Sequence, residues 1–478
     1  MSCVSSFSGV VTTGIYCRPG CSARPREENR RAFPLAAAAE AAGYRACHRC
    51  RPYRWPQSVG WEAPELVCRA VRLILDGALD GGSEAELGAR LGVSPRHLRR
   101  LFSAHLGVTP DGVARSARVH FARRLLDDTD LTVTEIAFAA GFGSLRQLNR
   151  ACRDVFGESP RTLRARRRKA DRLVADGGLW LRLAFCGRLD WPAMLAYFAA
   201  RAIPGVEHVA GNTYRRTIVS GGDPGVLELA PGGEDHLLLR AHLPHWEKLV
   251  HIVQRARRIA SLDLDLDEAA SQLAKDAAVG PLVKARPGVR PPGTWDAFET
   301  GIWAIIAHQT ADAEKNVIAG RLVERFGRPV PGLDQLGLAR TFPPPTTLAS
   351  GDLRGLGLTS GQARAVRVFA SAVAEEAVHL DRSVGLTELV NSVAALDGLD
   401  SWIAHYVALR LGEPDACPIA NIALRRSLPQ GARQRPAAHG DVDERWRPWR
   451  ALATTHRWLA ELAHEAPVGP AEAVRGAA

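Results

Sequence analysis

Four cysteines near the start of the chain are spaced for metal chemistry. Cys17-Arg-Pro-Gly-Cys21 and Cys47-His-Arg-Cys50 are two close pairs separated by twenty-five residues. Each pair sits on a short turn and offers two sulfurs at tetrahedral distance, which points to a four-thiolate zinc centre. Arg18, Arg24, Arg45, Arg49 and Arg51 crowd the same stretch, and residues 1–57 carry nine Lys+Arg against Glu27, Glu28 and Glu40. On spacing alone the metal is structural, as in a zinc ribbon.

The flanking residues add a second reading. Thr12-Thr-Gly-Ile-Tyr-Cys-Arg-Pro-Gly-Cys21 and Gly43-Tyr-Arg-Ala-Cys-His-Arg-Cys50 resemble the zinc module of the Ada family. The resemblance implies that Cys17, Cys21, Cys47 and Cys50 hold Zn2+ and that Cys17 also takes a methyl group from a DNA methyl phosphotriester. Zinc keeps a thiol deprotonated, the thiolate is the nucleophile, and a neutral triester does not repel it. The arginines are then expected to hold the charged phosphates on either side. The family has an aromatic-rich strand before this motif. Here the chain starts Met1-Ser-Cys-Val-Ser-Ser-Phe, which leaves that strand shortened or its start placed too late.

A second chemical constellation lies near the other end. Ala285-Arg-Pro-Gly-Val-Arg-Pro-Pro-Gly-Thr-Trp-Asp-Ala-Phe-Glu299, Ala304-Ile-Ile-Ala-His-Gln309, Trp402-Ile-Ala-His-Tyr-Val-Ala-Leu-Arg410 and Arg445-Trp-Arg-Pro-Trp-Arg450 through Trp458 resemble the AlkA class of alkylated-base glycosylases. The resemblance implies a helix-hairpin-helix fold that flips a damaged base out of the duplex. Trp402, Tyr406 and Trp458 match its aromatic pocket, and Gln309 matches the side chain that wedges into the vacated stack. Any one of these aromatics could equally be core packing. The family hairpin reads Pro-Gly-hydrophobic-Gly, and its amides hold a DNA phosphate. Here it reads Asp397-Gly398-Leu399-Asp400. Gly398 keeps the DNA-contacting position, and the two carboxylates are expected to face phosphate and repel it. The position of the family's essential Asp is Asn421. An amide cannot stabilise a sugar cation as a carboxylate does, a loss of roughly two to four decades of rate. Excision is therefore expected to be weak or absent. A rival reading keeps it, because N-alkylated purines are already cationic and leave easily.

The elements between these ends read as DNA recognition. Ser83-Glu-Ala-Glu86 is a capping box, and Leu91-Gly-Val-Ser-Pro95 is a helix end, a tight turn and a new helix start. A second copy runs Thr134–Ala140, Gly141-Phe-Gly-Ser144, Leu145–Val155, with a basic helix near Val113–Asp127 between the copies. With the closing Phe156-Gly-Glu-Ser-Pro-Arg161 this resembles the AraC-type domain. The implied base and phosphate contacts are Arg96, His97, Arg99 and Arg100 in the first copy and Arg146, Gln147, Asn149 and Arg150 in the second. Arg164-Ala-Arg-Arg-Arg-Lys169 is a phosphate patch or a solvated linker. Alternation over Leu179–Phe185, Thr213–Ser220, Val226–Leu229 and Leu237–Leu243, followed by a helical stretch Trp246–Ile259, gives a small α+β unit.

The expected whole is multidomain and mainly α. It comprises a four-cysteine zinc α+β module at 1–57 and an all-α AraC-type double helix-turn-helix at 62–168. An α+β AlkA N-terminal unit follows at 179–285, and an all-α helix-hairpin-helix glycosylase unit at 286–465. The chain has 478 residues, a formal net charge of +11 and a pI near 9.5, which favours an acidic partner, usually nucleic acid; the resemblances imply that it is double-stranded DNA, alkylated or promoter. An activator of this kind implies RNA polymerase as a further partner. No run is long and apolar enough to span a bilayer and no secretory signal is present, which reads as cytoplasmic. Cys3, Cys68, Cys152, Cys186 and Cys417 are scattered, as isolated thiols are. No small-molecule cofactor other than zinc is implied, and no Pro-Cys-His-Arg segment of a second Ada methyltransferase occurs. The competing functional classes are a pure regulator with structural zinc and an active glycosylase with a regulatory N-terminal half.

Overall fold

The computed structural model describes residues 6–23, 25–56, 63–173, 178–308, 310–418 and 444–465. The first unit is built on a four-stranded sheet: β1 (Phe7–Val10), β2 (Ile15–Cys17), β3 (Arg30–Phe33) and β4 (Arg45–Ala46), in the order β3-β1-β2-β4. A short alanine-rich helix, α1 (Ala36–Ala41), covers it. A strand therefore does precede the cysteine motif, and its Phe7 is buried edge-on against Tyr16. The parallel pairing of β2 with β4 sets Tyr16 beside Ala46, so Cys17 and Cys47 leave the sheet side by side.

Seven helices follow: α2 (Glu65–Leu75), α3 (Glu84–Arg90), α4 (Pro95–Leu106), α5 (Pro110–Asp128), α6 (Val133–Ala139), α7 (Leu145–Phe156) and α8 (Pro160–Ala165). The punctuation works as read. Ser83 and Glu86 close a reciprocal capping box, Ser94 caps α4 through the His97 amide with Pro95 in the first turn, and Ser144 caps α7 through the Gln147 amide. A second capping box, Thr132 with Glu135, starts α6. Gly141 sits at φ +81° in the turn between α6 and α7, a conformation that strongly favours glycine. The helix between the two copies carries Arg115, Arg118, Arg123 and Arg124, yet α5 is largely buried and serves as the spine of the unit.

The α+β unit has five strands, β5 (Leu179–Ala184), β6 (Glu207–Ala210), β7 (Thr213–Ser220), β8 (Asp223–Pro231) and β9 (His236–His242), ordered β5-β9-β8-β7-β6 and antiparallel throughout. Helices α9 (Trp191–Ala199) and α10 (Leu249–Ile259) belong to it. Helices α11 (Asp267–Leu273) and α12 (Gly280–Ala285) close that stretch, and the last unit is helical: α13 (Ala297–His308), α14 (Asp312–Phe326), α15 (Pro345–Ser350), α16 (Ser360–Ala374), the hairpin pair α17 (Leu386–Ala394) and α18 (Ser401–Leu411), and a closing helix Arg450–Glu465. Apolar α13 is packed between α16 and α18 at the centre.

One buried core runs through residues of all these units, and a polar knot ties them at the C-terminal end of α5. Asp127 and Asp128 are buried there. Tyr53 donates to Asp127 (2.8 Å), Arg54 reaches Asp127 (3.3 Å) and Asp128 (2.8 Å), Arg123 pairs with Asp127, and Arg182 of β5 donates to Asp128 (3.1 Å). Burial lifts the Asp128 carboxyl above its ordinary range against the pull of Arg54 and Arg182. Removing one cation from such a cluster leaves an unbalanced buried charge. Arg54→Ala is expected to cost about 3 kcal/mol in urea denaturation and to leave the cysteine module more open to protease than the remainder of the chain.

Candidate zinc centre, DNA-reading helices and base pocket

The sulfurs of Cys17, Cys21, Cys47 and Cys50 all lie within 4.8 Å of one another. A tetrahedral centre of four sulfurs around zinc needs edges of about 3.8 Å, so small rotations of these side chains complete it. Contacts with the Cys47 and Cys50 sulfurs, and burial, raise the Cys17 thiol far above the ordinary range, while Cys17 and Cys50 draw Cys47 far below it. Thiols this close settle into sharing protons. They can all ionise only around a cation, and an all-sulfur set suits zinc.

The four sulfurs are not equivalent. Cys50 accepts the Arg18 amide (3.4 Å), Cys21 accepts the Ala23 amide (3.5 Å), and the amides of Cys50 and Arg49 stabilise a Cys47 thiolate. Cys17 accepts no amide among the described residues. It is also the most enclosed of the four, at 6% exposure. The residue before it, Tyr16, donates to Glu40 (2.6 Å), and His120 of α5 lies 3.0 Å from the Tyr16 hydroxyl and 2.7 Å from Glu40.

The surrounding arginines divide. Arg18 is held against the Trp55 ring (4.8 Å) and the Cys50 carbonyl (3.1 Å), and Arg51 pairs with Asp171 (2.7 Å). These two are structural, contrary to the expectation that they grip DNA. Arg45 and Arg49 are exposed with no side-chain partner among the described residues, and Arg24 lies outside those residues.

The exposed faces of α4 and α7 carry the expected DNA-reading side chains. Arg96 and Arg146 extend into solvent without a partner among the described residues. Arg100 contacts His97 Nδ1 (2.9 Å), Arg99 pairs with Glu84 of α3, and Arg150 lies 4.0 Å from Asp154. Gln147 and Asn149 are engaged locally instead. Gln147 Oε1 accepts the Gly143 amide (2.9 Å) and Asn149 Nδ2 donates to the Leu145 carbonyl (2.9 Å). Gln147 Nε2 and Asn149 Oδ1 make no local bond among the described residues and remain available to a base edge.

In the last unit the expected aromatics come together. Trp402 and Tyr406, one turn apart on α18, stack at 5.4 Å. Trp303 stacks on Tyr406 at 5.5 Å, and Trp458 lies 5.8 Å from it. All four are buried. The indole Nε1 atoms of Trp402 and Trp458 are buried without a hydrogen-bond partner among the described residues, two donors left in an aromatic environment. Residues not singled out from the sequence complete the group. Arg410 donates to the Tyr406 hydroxyl (3.2 Å), Tyr197 of α9 meets that hydroxyl at 3.2 Å, and Arg201 covers Tyr197 (4.0 Å) and Trp458 (5.4 Å). Arg410 was findable, since it stands one turn after Tyr406 on the same helix face. Tyr197 and Arg201 come from a distant unit and leave no local signal. Gln309 and Asn421 lie outside the described residues.

The hairpin differs from the sequence expectation. Gly398, at φ +82°, makes the turn, and an added Cβ would lie 3.1 Å from Ala365 Cβ. The two flanking carboxylates are not left facing outward alone. Asp397 pairs with Arg364 (3.3 Å). Asp400 is the N-cap of α18, accepting the Ile403 amide (3.0 Å), and pairs with His308 Nε2 (2.8 Å). Burial works to raise its carboxyl, but His308 and the amides of α18 outweigh it and draw the group below the ordinary range. His308, the last residue of α13, also stacks on Trp402 at 4.8 Å. A helix start that normally attracts anions is thus filled by its own side chain.

Known proteins place these features. Residues 5–53 match the metal binding domain of Ada, residues 87–166 a helix-turn-helix domain, and residues 180–296 the AlkA N-terminal domain. The cysteine cluster within the first match is accordingly a zinc site. The chain is 36% identical over 456 residues to a Mycobacterium tuberculosis protein named a probable bifunctional transcriptional activator/DNA repair enzyme AlkA, covering 94% of this chain and 91% of that one. It is 30% identical over 275 residues to DNA-3-methyladenine glycosylase 2 of Escherichia coli, covering 57% of this chain and 94% of the other. In structure it resembles the 3-methyladenine DNA glycosylase of Archaeoglobus fulgidus, with a TM-score of 0.50 at 19% identity over 60% of this chain and 99% of that one. No helix among the described residues is long and apolar enough to cross a membrane. With a zinc module, paired helix-turn-helix elements and a glycosylase fold in one polypeptide, the chain belongs to the family of bifunctional transcriptional activator/DNA repair enzymes of the AlkA type.

Proposed function

We propose that the chain senses and repairs DNA alkylation by irreversible methyl capture at Cys17, and that capture strengthens its binding to promoter DNA. The observation that carries this reading is the asymmetry of the four sulfurs. Amide hydrogen bonds withdraw electron density from Cys21, Cys47 and Cys50, and Cys17 has none among the described residues, so it is the most nucleophilic. Zinc would supply the positive charge that keeps the sulfur deprotonated at neutral pH. The Cys17 thiolate attacks the methyl carbon of a phosphotriester, a C–S bond forms, and the C–O bond breaks. The phosphate oxygen leaves with the electron pair as an ordinary diester anion. The protein loses one negative charge at this site. Its repulsion from DNA phosphate falls, and operator affinity rises.

The reading divides the chain at 1–57, 62–168, 179–285 and 286–465. Arg96 and Arg146 are the leading base or phosphate contacts, supported by Arg99, Arg100, Arg150 and His97. RNA polymerase is the partner through which bound activator acts. In the glycosylase unit, Trp402, Tyr406 and Trp458 form the base pocket and Gln309 the wedge. Excision is attenuated, because Asn421 supplies no charge to the sugar cation and Asp400 occupies the helix start that would otherwise hold a phosphate.

Two measurements test the reading. Purified protein should bind one zinc per chain. After incubation with methylated DNA, mass spectrometry should find a single methyl group on Cys17, and Cys17→Ser should capture none. Methylation spread over the other cysteines, or none in wild type, leaves only a regulator with structural zinc. For the glycosylase unit, Asn421→Asp is expected to raise 3-methyladenine release by about tenfold or more, and Asp400→Gly to tighten binding of abasic duplex by roughly 1 kcal/mol. Robust release by wild type that neither change improves would instead mark an unimpaired glycosylase.

A further inference from the structure

Three units each send an arginine to one junction. Arg72 comes from α2, Arg258 from α10, and Arg382 from the loop between α16 and α17. They line a cavity of about 920 Å3, and Arg258 and Arg382 also line a neighbouring one of about 1000 Å3. Neither cavity includes Trp402, Tyr406 or Trp458, so this place is separate from the base pocket.

Seven carboxylates and six arginines line the first cavity, and Arg382 is the arginine left outside the pairs. Arg258 pairs with Asp76, and Arg72 lies 3.3 Å from Glu413. The cavity's other arginines are also matched: Arg69 with Glu65 (3.5 Å), and Arg450 (2.7 Å) together with Arg447 with Asp415. Among the described residues Arg382 has no carboxylate partner and makes no hydrogen bond, and its Nε is buried. Its backbone is left-handed, at φ +68°, an uncommon and strained conformation for arginine. Burial, then Arg258 and Arg72, pull the guanidinium down to about 9, with Asp76 and Glu413 only partly offsetting them. Arg382 is half-buried, with its Nε enclosed and its terminal nitrogens free to meet a ligand in the cavity, and planar forked donors suit phosphoryl oxygens.

We propose that Arg382 anchors a binding site for a phosphoryl oxyanion at this three-way junction, with Arg72 and Arg258 as flanking donors. Occupancy joins the helix-turn-helix unit to both parts of the glycosylase, because each contributes one donor. The occupant is a free phosphate-bearing small molecule or a backbone phosphate of DNA, which share this chemistry.

The test uses the full-length protein, titrated with sodium phosphate against sodium chloride at matched ionic strength while the melting temperature is followed. Wild type is expected to gain a few degrees, rising with the logarithm of phosphate concentration. Arg382→Met should weaken that response about tenfold or abolish it, and without phosphate should melt no lower than wild type. Asp76→Asn, which releases Arg258 from its carboxylate, should move the response to lower phosphate concentration whatever its own stability. A duplex DNA arm identifies the source. A DNA-induced rise that Arg382→Met removes makes a backbone phosphate the occupant, whereas one that survives while the phosphate response is lost makes it a free anion. Equal phosphate responses in wild type and Arg382→Met, or none in either, overturn the site.

Discussion

The arrangement of the N-terminal half depends on two carboxylates at the wrong end of a helix. Asp127 and Asp128 close α5, where the helix dipole already presents negative charge. Neither reaches water. They are tolerable only because cations converge from three directions: Arg54 from the zinc module, Arg123 from α5 itself, and Arg182 from the first strand of the α+β unit. Arg54 and Arg182 lie far from α5 in sequence, so the knot closes only when all three units are in place. Buried ion clusters add little net stability compared with apolar packing, but they penalise every other arrangement. That is how one polar cluster can fix the relative placement of units that the hydrophobic core alone would hold loosely.

The same helix is where the zinc centre meets the DNA-reading elements. Tyr16, next to Cys17, shares a network with Glu40 and His120 of α5. Arg51, next to Cys50, sits at φ +52° and reaches Asp171, with Asp127 3.9 Å away. Ligand residues on both sides of the metal are therefore one covalent step from contacts with α5, and α6, α7 and α8 pack on α5. Were Cys17 methylated as proposed, the change at the zinc ligands would have a short mechanical route to α7, in addition to any long-range electrostatic effect. The two act together without competing, since the field is felt by DNA and the contacts by the fold.

What could be read from the sequence was local. The cysteine spacing, the caps at Ser83, Ser94 and Ser144, and the alternation of Leu179–Ala184 are short-range patterns, and each marks what it does in the structure. Strand β6 was not legible, because Glu207–Ala210 is half-buried on both faces and shows no alternation. The basic helix α5 was legible as a helix but not as a core helix, because a partner such as Asp80, which neutralises Arg118, is remote in sequence. The roles of Gln147 and Asn149 illustrate the same limit. Their chemistry suits adenine, and the sequence did not show that a nearby amide and carbonyl also hold one end of each side chain. At the zinc site the ligands were legible from spacing and Cys17 was singled out only by resemblance, whereas the amides that the folded turns point at Cys21 and Cys50 were not legible.

The hairpin shows how two departures from a family pattern can be one. Asp400 in place of a glycine reads, in isolation, as a bare charge set against DNA. Folded, the carboxylate caps α18 and is paired with His308, whose ring lies on Trp402. The helix start is neutralised and the aromatic group is closed on that side by the same contact. DNA then loses the favourable field that an uncapped helix offers, worth up to about 1 kcal/mol at an exposed terminus. On the proposed reading, that loss falls on the same unit in which Asn421 stands at the position of the excision carboxylate. Affinity must come instead from elsewhere on a protein of net charge +11, where Arg96 and Arg146 stand exposed on the two reading helices with no partner among the described residues. On the proposed reading, this distribution of free and neutralised charge puts more of the grip on DNA in the helix-turn-helix unit than in the glycosylase fold.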